Sequence, residues 1–243
     1  MRVAFVSDVH GNLTALEAVV ADLRRRGVDL VVHGGDLALM GPRPAEVVDR
    51  IRELGWPGVV GNTDELLWRP EEHARQLQRA PRLAPLLELL FDSYAPDTRE
   101  RLGAERLAWL RSLPSEYRGE ALTAVHARPG DLWRAPMPDA DDGELLDAYA
   151  ALRSPRVGYG HIHRPFVREA GGITVANAGS VGLPWDGDPR AAYLLIEDDV
   201  PTVIRVPYDV EAEARALRAL GHPDVERLSA MRRTGTFLAP QGS

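Results

Sequence analysis

Seven side chains that can bind a metal ion lie at the ends of short apolar runs in this sequence. They are carboxylates, imidazoles and one amide, without any sulfur, and such donors suit manganese, iron, cobalt, nickel or zinc. Seven donors are too many for one tetrahedral ion and suit two ions if one carboxylate bridges them. The set consists of Asp8, His10, Asp36, Asn62, His126, His161 and His163.

Such a centre would favour the chemistry of phosphate esters. Two divalent cations outweigh the negative charges of Asp8, Asp36 and a bridging hydroxide, so the open site would attract a phosphate oxyanion. The cations would also lower the pKa of bound water to near neutrality. We therefore expect a metal-bridging hydroxide to attack phosphorus in line, with Asp36, Asn62 and His126 as the central catalytic residues.

The elements that would position these residues alternate between strand and helix. Open α/β sheets bind ligands beyond the carboxyl ends of their strands, so ligands at five strand ends predict one shared site. The first elements read as a βαβαβ unit with parallel strands and right-handed crossovers. Thr14 and Glu17 have the spacing of a capping box at the first helix. The predicted strands before the ligands are Val3 to Val6, Leu30 to Val32, Val59 to Val60, Leu122 to Val125 and Val157 to Tyr159.

Two of the ligand pairs share one spacing. Asp8 and His10 are two residues apart, as are His161 and His163. In an extended backbone this spacing places both side chains on one face, so each pair would supply two ligands to one cavity.

The remaining segments predict helices and a second sheet. Residues 71–113 read as helices broken by prolines, an insertion that would cover the site or simply pack on the sheet. After residue 157 short strands are spaced as in hairpins, and two helices follow. We predict an α/β fold in which two packed mixed β-sheets are flanked by helices in a four-layer α/β/β/α sandwich. Its main domain would span residues 1–208, and a helical extension, 209–243, would pack on the same domain.

Composition excludes several classes of protein and site. The chain has 243 residues, of which 44% are hydrophobic and 27% are charged, as in ordinary soluble globular proteins. It has no cysteine, which excludes disulfides, thiolate metal sites and cysteine nucleophiles. A net charge of −7 argues against sequence-independent binding of duplex nucleic acid. Since neither a secretory signal nor a membrane-spanning run is visible, we expect a cytoplasmic protein.

The motifs together resemble a known superfamily. Asp8-Val9-His10, Gly35-Asp36, Gly61-Asn62, His126 and Gly160-His161-Ile162-His163, in this order, are similar to the calcineurin-like metallophosphoesterases. Residues 177–182 and 186–190 resemble the compact bacterial phosphodiesterase branch. The resemblance implies a two-sheet sandwich. It also implies that Asp8, His10, Asp36 and His163 hold one metal and that Asp36, Asn62, His126 and His161 hold the other, with Asp36 bridging.

The chain departs from the common pattern at the residue after Asn62. Many members have a histidine there that protonates the leaving group or steadies the attacked phosphate, whereas this chain has Thr63 followed by Asp64. A threonine hydroxyl is a poor general acid at neutral pH, which favours diesters and activated leaving groups. Asp64 would orient Asn62 or a metal-bound water, or else cap the following helix.

Three further residues are candidates for contacts around the substrate. His33 either lines the pocket or is a buried neutral residue. Asn177 is placed near the phosphate, on a loop that rims the site. Arg190 either holds a substrate oxyanion or forms a structural salt bridge.

The sequence favours a dinuclear metal-dependent phosphodiesterase that hydrolyses small nucleotide or other phosphodiesters. Manganese is the expected metal, with iron, nickel, cobalt and zinc as alternatives. A phosphomonoesterase or phosphoprotein phosphatase of the same chemistry, or a non-catalytic interaction module of this fold, remains an alternative. The expected partner is a small phosphate ester rather than a membrane or a nucleic acid polymer, and a homo-oligomer stays open.

Overall fold

The computed structural model describes residues 1–240. Two β-sheets pack face to face, and helices cover their outer faces. The predicted four-layer α/β/β/α sandwich is confirmed. None of the helices within residues 1–240 combines the length and the apolar character that crossing a membrane would require.

The first sheet has the strand order β2-β1-β8-β9. β1 is parallel to β2, with Val6 opposite His33, and antiparallel to β8. The carboxyl ends of β1 and β2 therefore meet at one edge of the sheet. The strands are β1 (Val3–Val6), β2 (Leu30–His33), β8 (Ala191–Glu197) and β9 (Val200–Val206).

The second sheet has the order β3-β4-β5-β7-β6. Its central strands β4, β5 and β7 run parallel, and the two edge strands pair antiparallel with their neighbours. The carboxyl ends of β4 and β5 carry the segments with His126 and His161. The strands are β3 (Glu116–Arg118), β4 (Thr123–Val125), β5 (Arg156–Tyr159), β6 (Phe166–Ala170) and β7 (Ile173–Asn177).

Alternating side chains of β1 divide the core into layers. Val3 and Phe5 point between the sheets, where they join Leu122 of the β4 segment. Ala4 and Val6 point to the opposite face and pack against helices. This two-residue period is the pattern expected of a strand that is covered on both faces. The resulting sandwich holds the ends of β1, β2, β4 and β5 together.

Nine α-helices lie within the described residues. Helices α1, α2, α8 and α9 contribute to the core on the first sheet, and α7 packs on the second. The segment between α3 and β3 is helical, as predicted, with a 3-10 turn at Pro81–Leu83 and a π-helical stretch at Leu89–Tyr94. The helices are α1 (Leu13–Arg26), α2 (Pro44–Leu54), α3 (Asn62–Glu65), α4 (Glu72–Arg79), α5 (Ala84–Glu88), α6 (Ala95–Ser112), α7 (Asp142–Tyr149), α8 (Val210–Leu220) and α9 (Val225–Thr234).

Two local predictions are wrong. Val59 and Val60 do not form a strand, because their segment makes only an isolated bridge between Gly58 and His33, and Val60 N donates instead to Pro114 O. The first helix is capped by Asn12, whose side chain accepts a 2.9 Å hydrogen bond from Ala15 N. Thr14 therefore begins no capping box.

Candidate metal centre

The seven predicted ligands converge at the shared edge of the two sheets. Backbone hydrogen bonds join the loop after β1 to the loop after β2: Asp8 N donates to Gly35 O over 3.1 Å, and His10 N donates to Asp36 O over 2.9 Å. The segment after β5 joins them, because His161 N donates to both carboxylate oxygens of Asp8. Segments distant in sequence thus form one rigid frame.

Five of the seven ligands have a left-handed backbone. The φ angles are positive at Asp8, His10, Asp36, His161 and His163, between 50° and 66°. The expectation that extended backbone aligns the two pairs is therefore wrong. Left-handed φ costs a non-glycine residue about 1–2 kcal/mol, and such strain concentrates at functional sites. The backbone turns sharply at each ligand and directs its side chain into the cavity.

Glycines let the loops after β2 and before α3 approach closely. A Cβ on Gly35, whose φ is +84°, would lie 2.4 Å from Gly61 N. A Cβ on Gly61 would lie 2.0 Å from Asp36 Oδ1. Both distances are far below van der Waals contact, so no larger residue fits at either position without displacing the loops.

Three of the four site histidines are held by backbone carbonyls through Nδ1. His10 Nδ1 donates to Leu39 O over 3.0 Å, His126 Nδ1 to Gly34 O over 2.8 Å, and His163 Nδ1 to Leu183 O over 2.5 Å. A carbonyl only accepts, so the proton is on Nδ1 in the neutral ring. Each ring therefore presents the Nε2 lone pair to the cavity, the tautomer that metal-binding histidines adopt.

The contact between His10 and His163 tests whether these residues fit a cation. Their Nε2 atoms are 3.1 Å apart, and Asp8 Oδ1 lies 3.2 Å from His163 Nε2. Burial, together with the neighbouring His163, lowers the pKa of His10 to about 3, so the His10 ring is neutral at physiological pH. Two facing lone pairs beside a carboxylate need a positive charge between them, so the donors fit a divalent ion.

Asp36 lies between two groups of ligands. Its Oδ2 is 3.7 Å from His10 Nε2, and its Oδ1 is 3.6 Å from His126 Nε2. Asp8 also reaches both groups, because its ligand atoms lie within 4.8 Å of those of His10 and His163 and of those of Asp36 and His126. Two buried carboxylates thus occupy the middle of the site.

Asn62 lies between the other two histidines. Its Oδ1 is 2.8 Å from His126 Nε2 and 2.9 Å from His161 Nδ1. The structure therefore brings all seven residues together. Their role as metal ligands and their division between two ions stay predictions.

Burial and mutual charge perturb the pKa values of the two carboxyls in opposite directions. Burial raises the pKa of Asp36 to about 7, opposed by His126 and reinforced by Asp8 and Asp64. Burial also opposes ionisation of Asp8, but the charge and hydrogen bond of His163 hold its pKa well below the ordinary value. Without a bound cation, the Asp36 carboxyl is therefore only partly ionised at neutral pH, and its ionisation is unfavourable.

Asp64 and Thr63 hold Asp36 in place through hydrogen bonds. The carboxylate of Asp64 accepts hydrogen bonds from Asp36 N over 2.8 Å, Leu37 N over 2.9 Å and Gly61 N over 3.1 Å. It therefore ties the two ligand loops together and also caps α3. Thr63 N donates to Asp36 Oδ1 over 2.8 Å, while its hydroxyl is buried without a hydrogen-bond partner in residues 1–240.

The other three candidates have contacts that account for them structurally. His33 is buried against Trp109, and burial lowers its pKa to about 3, which fits the buried neutral reading. Asn177 donates to Gly160 O and accepts from Gly179 N, so it shapes the turn before His161. Arg190 pairs with Asp188 at the surface. A substrate role for any of them stays a prediction.

Two supporting residues were not found from the sequence. Ser180 Oγ donates to Asp8 O over 2.7 Å and so fixes the first ligand loop. Arg232 of α9 is fully buried, and its Nη2 donates over 2.9 Å to Met40 O, next to the Leu39 carbonyl that holds His10. These contacts span more than 170 residues, and no sequence spacing signals them.

Comparison with known proteins decides the family. The model of the calcineurin-like phosphoesterase superfamily domain matches residues 1–199. The chain belongs to this superfamily. It is a metal-dependent phosphoesterase, and two groups of its buried carboxylates and imidazoles could hold a metal ion.

Relatives in this superfamily cover nearly the whole chain. Phosphodiesterase YfcE of Escherichia coli K12 is 27% identical over 214 residues, which cover 84% of this chain and 91% of that enzyme. The uncharacterised protein MJ0912 of Methanocaldococcus jannaschii is 30% identical over 232 residues, covering 86% of this chain and 88% of that protein. The crystal structure of a metallophosphoesterase from Sphaerobacter thermophilus has a TM-score of 0.78 and 29% identity, and it covers 97% of this chain and 100% of its own.

Proposed function

We propose that this protein hydrolyses small phosphodiesters, including nucleotide esters, with two divalent transition-metal ions bound at the centre. Manganese is the proposed metal. One ion would be held by Asp8, His10, Asp36 and His163, and the other by Asp36, Asn62, His126 and His161.

The placement of Asp36 is the observation that carries this proposal. One of its oxygens faces His10 at 3.7 Å and the other faces His126 at 3.6 Å. A carboxylate bridges two cations by offering one oxygen to each, and paired ions in such enzymes lie about 3.5–4 Å apart. The geometry therefore supports two ions rather than one.

When bound, the two ions would withdraw charge from the phosphate oxygens and lower the pKa of water to near neutrality. The protein's own residues supply orientation. Leu39, Gly34 and Leu183 hold the histidine rings through their carbonyls, and Asp64 holds the two loops that carry Asp36 and Asn62. Preorganised donors of this kind need no rearrangement during the reaction.

A preference for diesters with good leaving groups is supported by Thr63. Its hydroxyl is a poor acid at neutral pH, and its backbone N–H is already bonded to Asp36. The proton for the leaving group would therefore come from solvent. The name of the relative from Escherichia coli, a phosphodiesterase, agrees with this preference.

The test combines metal analysis with paired substrates. Protein treated with a chelator is reloaded with manganese, nickel or zinc, and hydrolysis of bis(p-nitrophenyl) phosphate is compared with that of p-nitrophenyl phosphate. Because both esters release the same product, their comparison isolates diester preference. The proposal predicts a metal-dependent rate on the diester that exceeds the rate on the monoester.

Two results would overturn it. Equal or greater turnover of the monoester would favour a phosphomonoesterase of the same chemistry. Full activity in both Asp36→Ala and His126→Ala would refute the assignment of the site itself.

A further inference from the structure

An open cleft of about 390 Å³ is bordered by the helical segment beside the metal centre. It is formed by the end of α3, by α4 and by the loop before Trp133. Its volume lies in the range of small-molecule sites. The charged side chains that line it are Glu65, Arg69, Glu72, Arg75, Arg79 and Asp131.

The cleft adjoins two of the proposed metal ligands. Glu65 lies in α3 three residues after Asn62, and side chains three apart on a helix have Cβ atoms about 5–6 Å apart. On the opposite wall, Trp133 lies in the loop that follows His126 at the end of β4. The cleft therefore offers space for the remaining part of a substrate whose phosphorus is at the metal centre.

The carboxylates in the cleft are already engaged. Glu72 is buried and accepts from Arg75 and Gln76, while Arg69 lies between Glu65 and Glu72. Asp131 forms a close ion pair with Arg79 and also accepts from Trp133 N. Their oxygens are therefore occupied by protein donors.

Arg75 and Arg79 retain spare donors. Each guanidinium has five N–H groups. In residues 1–240, Arg75 bonds through Nη1 alone and Arg79 through Nη2 alone. Their side chains are 64% and 31% exposed, so their other donors are free to face solvent. These donors are therefore available to an oxygen acceptor that displaces water from the cleft.

We propose that this cleft is a second anion subsite, in which Arg75 and Arg79 bind a distal phosphate of the substrate. The proposal rests on the phosphodiesterase function and restricts its preferred substrates to esters that carry a second phosphate. Guanidinium groups bind phosphate oxygens through paired hydrogen bonds, and the acidic neighbours hold the two arginines in place for this.

Two chromogenic esters test the subsite. They are the p-nitrophenyl ester of thymidine 5′-phosphate and the same ester with an added 3′-phosphate. In both, water adds to the 5′ phosphorus, the bond to the nitrophenyl oxygen breaks, and nitrophenolate and a proton are released. The ratio of their kcat/KM values measures recognition of the distal phosphate.

In the manganese-loaded wild type we expect the 3′-phosphate to raise kcat/KM, mainly through a lower KM. Arg75→Gln should reduce this ratio by about five- to tenfold, the effect of one partly exposed charged hydrogen bond. The matched control is Arg111→Gln, an exposed arginine at the end of α6 that does not line the cleft. This control should leave the ratio unchanged.

A second measurement, inhibition by nucleotides, does not depend on turnover of the nucleotide esters. Thymidine 3′,5′-bisphosphate should inhibit hydrolysis of bis(p-nitrophenyl) phosphate more strongly than thymidine 5′-phosphate does, and Arg75→Gln should remove the difference. A ratio that is the same in wild type and Arg75→Gln, with both esters hydrolysed, would overturn the subsite and leave the phosphodiesterase function intact. Failure to hydrolyse either ester with any metal would overturn both.

Discussion

Replacing Asp36 by asparagine should stabilise the metal-free protein while destroying its function. Burial raises the pKa of the Asp36 carboxyl from 3.8 to about 7. At about 1.36 kcal/mol per pKa unit, this difference corresponds to about 4 kcal/mol. In the metal-free protein, therefore, ionised Asp36 opposes folding by about 4 kcal/mol.

The sign of the effect follows from linkage. A raised pKa means that folding is most favourable, with respect to Asp36, below its unfolded pKa of 3.8, and that this stability is lost as pH rises through about 7. Asparagine carries no charge at any of these pH values and keeps an oxygen that can accept from Thr63 N. The advantage of Asp36→Asn should thus be near zero at about pH 4 and approach its full size at about pH 8.

The assay is urea unfolding in the presence of a chelator at several pH values. Asp8→Asn is the matched control, because burial alone would raise the pKa of Asp8, but His163, His126 and His10 together outweigh it and hold this pKa below its ordinary value. That variant should lose stability above the unfolded pKa of Asp8, with the loss fading in acid. Added manganese should stabilise the wild type but much less the Asp36→Asn variant. An Asp36→Asn protein that is less stable than wild type at about pH 8 would refute the reasoning.

Three further changes have defined outcomes. Thr63→His should raise kcat on diesters with poor leaving groups relative to kcat on a nitrophenyl ester. If this ratio is the same in the variant and the wild type, the argument that the wild type lacks a general acid is contradicted. Arg232→Met should weaken manganese binding by about tenfold, because the loop that holds His10 loses its anchor at Met40, whereas the exposed neighbour Arg233→Met should bind as wild type. Affinity measured by calorimetry decides this, and equal affinities would contradict it. His126→Ala should reduce turnover of bis(p-nitrophenyl) phosphate by at least about a hundredfold while retaining the helical circular-dichroism signal, and near-normal turnover would argue against its role.

Much of the fold could be predicted because strand and helix patterns alternate clearly along the chain and proline and glycine residues mark their ends. The pattern of Val3 to Val6 predicts a strand, and the structure confirms it and places it between the second sheet and the helices. Pro44 begins α2 and Gly55 ends it, and these are residue types that typically mark the two ends of a helix. Such local signals do not depend on distant contacts.

Where distant contacts decide, the sequence was insufficient. Val59 and Val60 have strand residues, but their N–H groups bond to His33 O and to Pro114 O, which leaves a bridge rather than a ladder. The left-handed turns at Asp8 and His10 depend on hydrogen bonds to the loop after β2.

The composition of the site could be predicted, but its support could not. The ligand types and their order indicated a metal centre, since few other arrangements need so many nitrogen and oxygen donors in apolar surroundings. Ser180 and Arg232 act through backbone carbonyls of distant loops. A backbone carbonyl has no residue type, so no motif records such a contact. The division into a domain over 1–208 and an extension over 209–243 stays a prediction.

Anomalous diffraction from crystals grown with excess manganese tests the central claim most directly. The account predicts two manganese peaks about 3.5–4 Å apart, one beside the Nε2 atoms of His10 and His163 and one beside His126 and Asn62, with Asp36 contacting both. A single peak, or peaks away from Asp36, would contradict it.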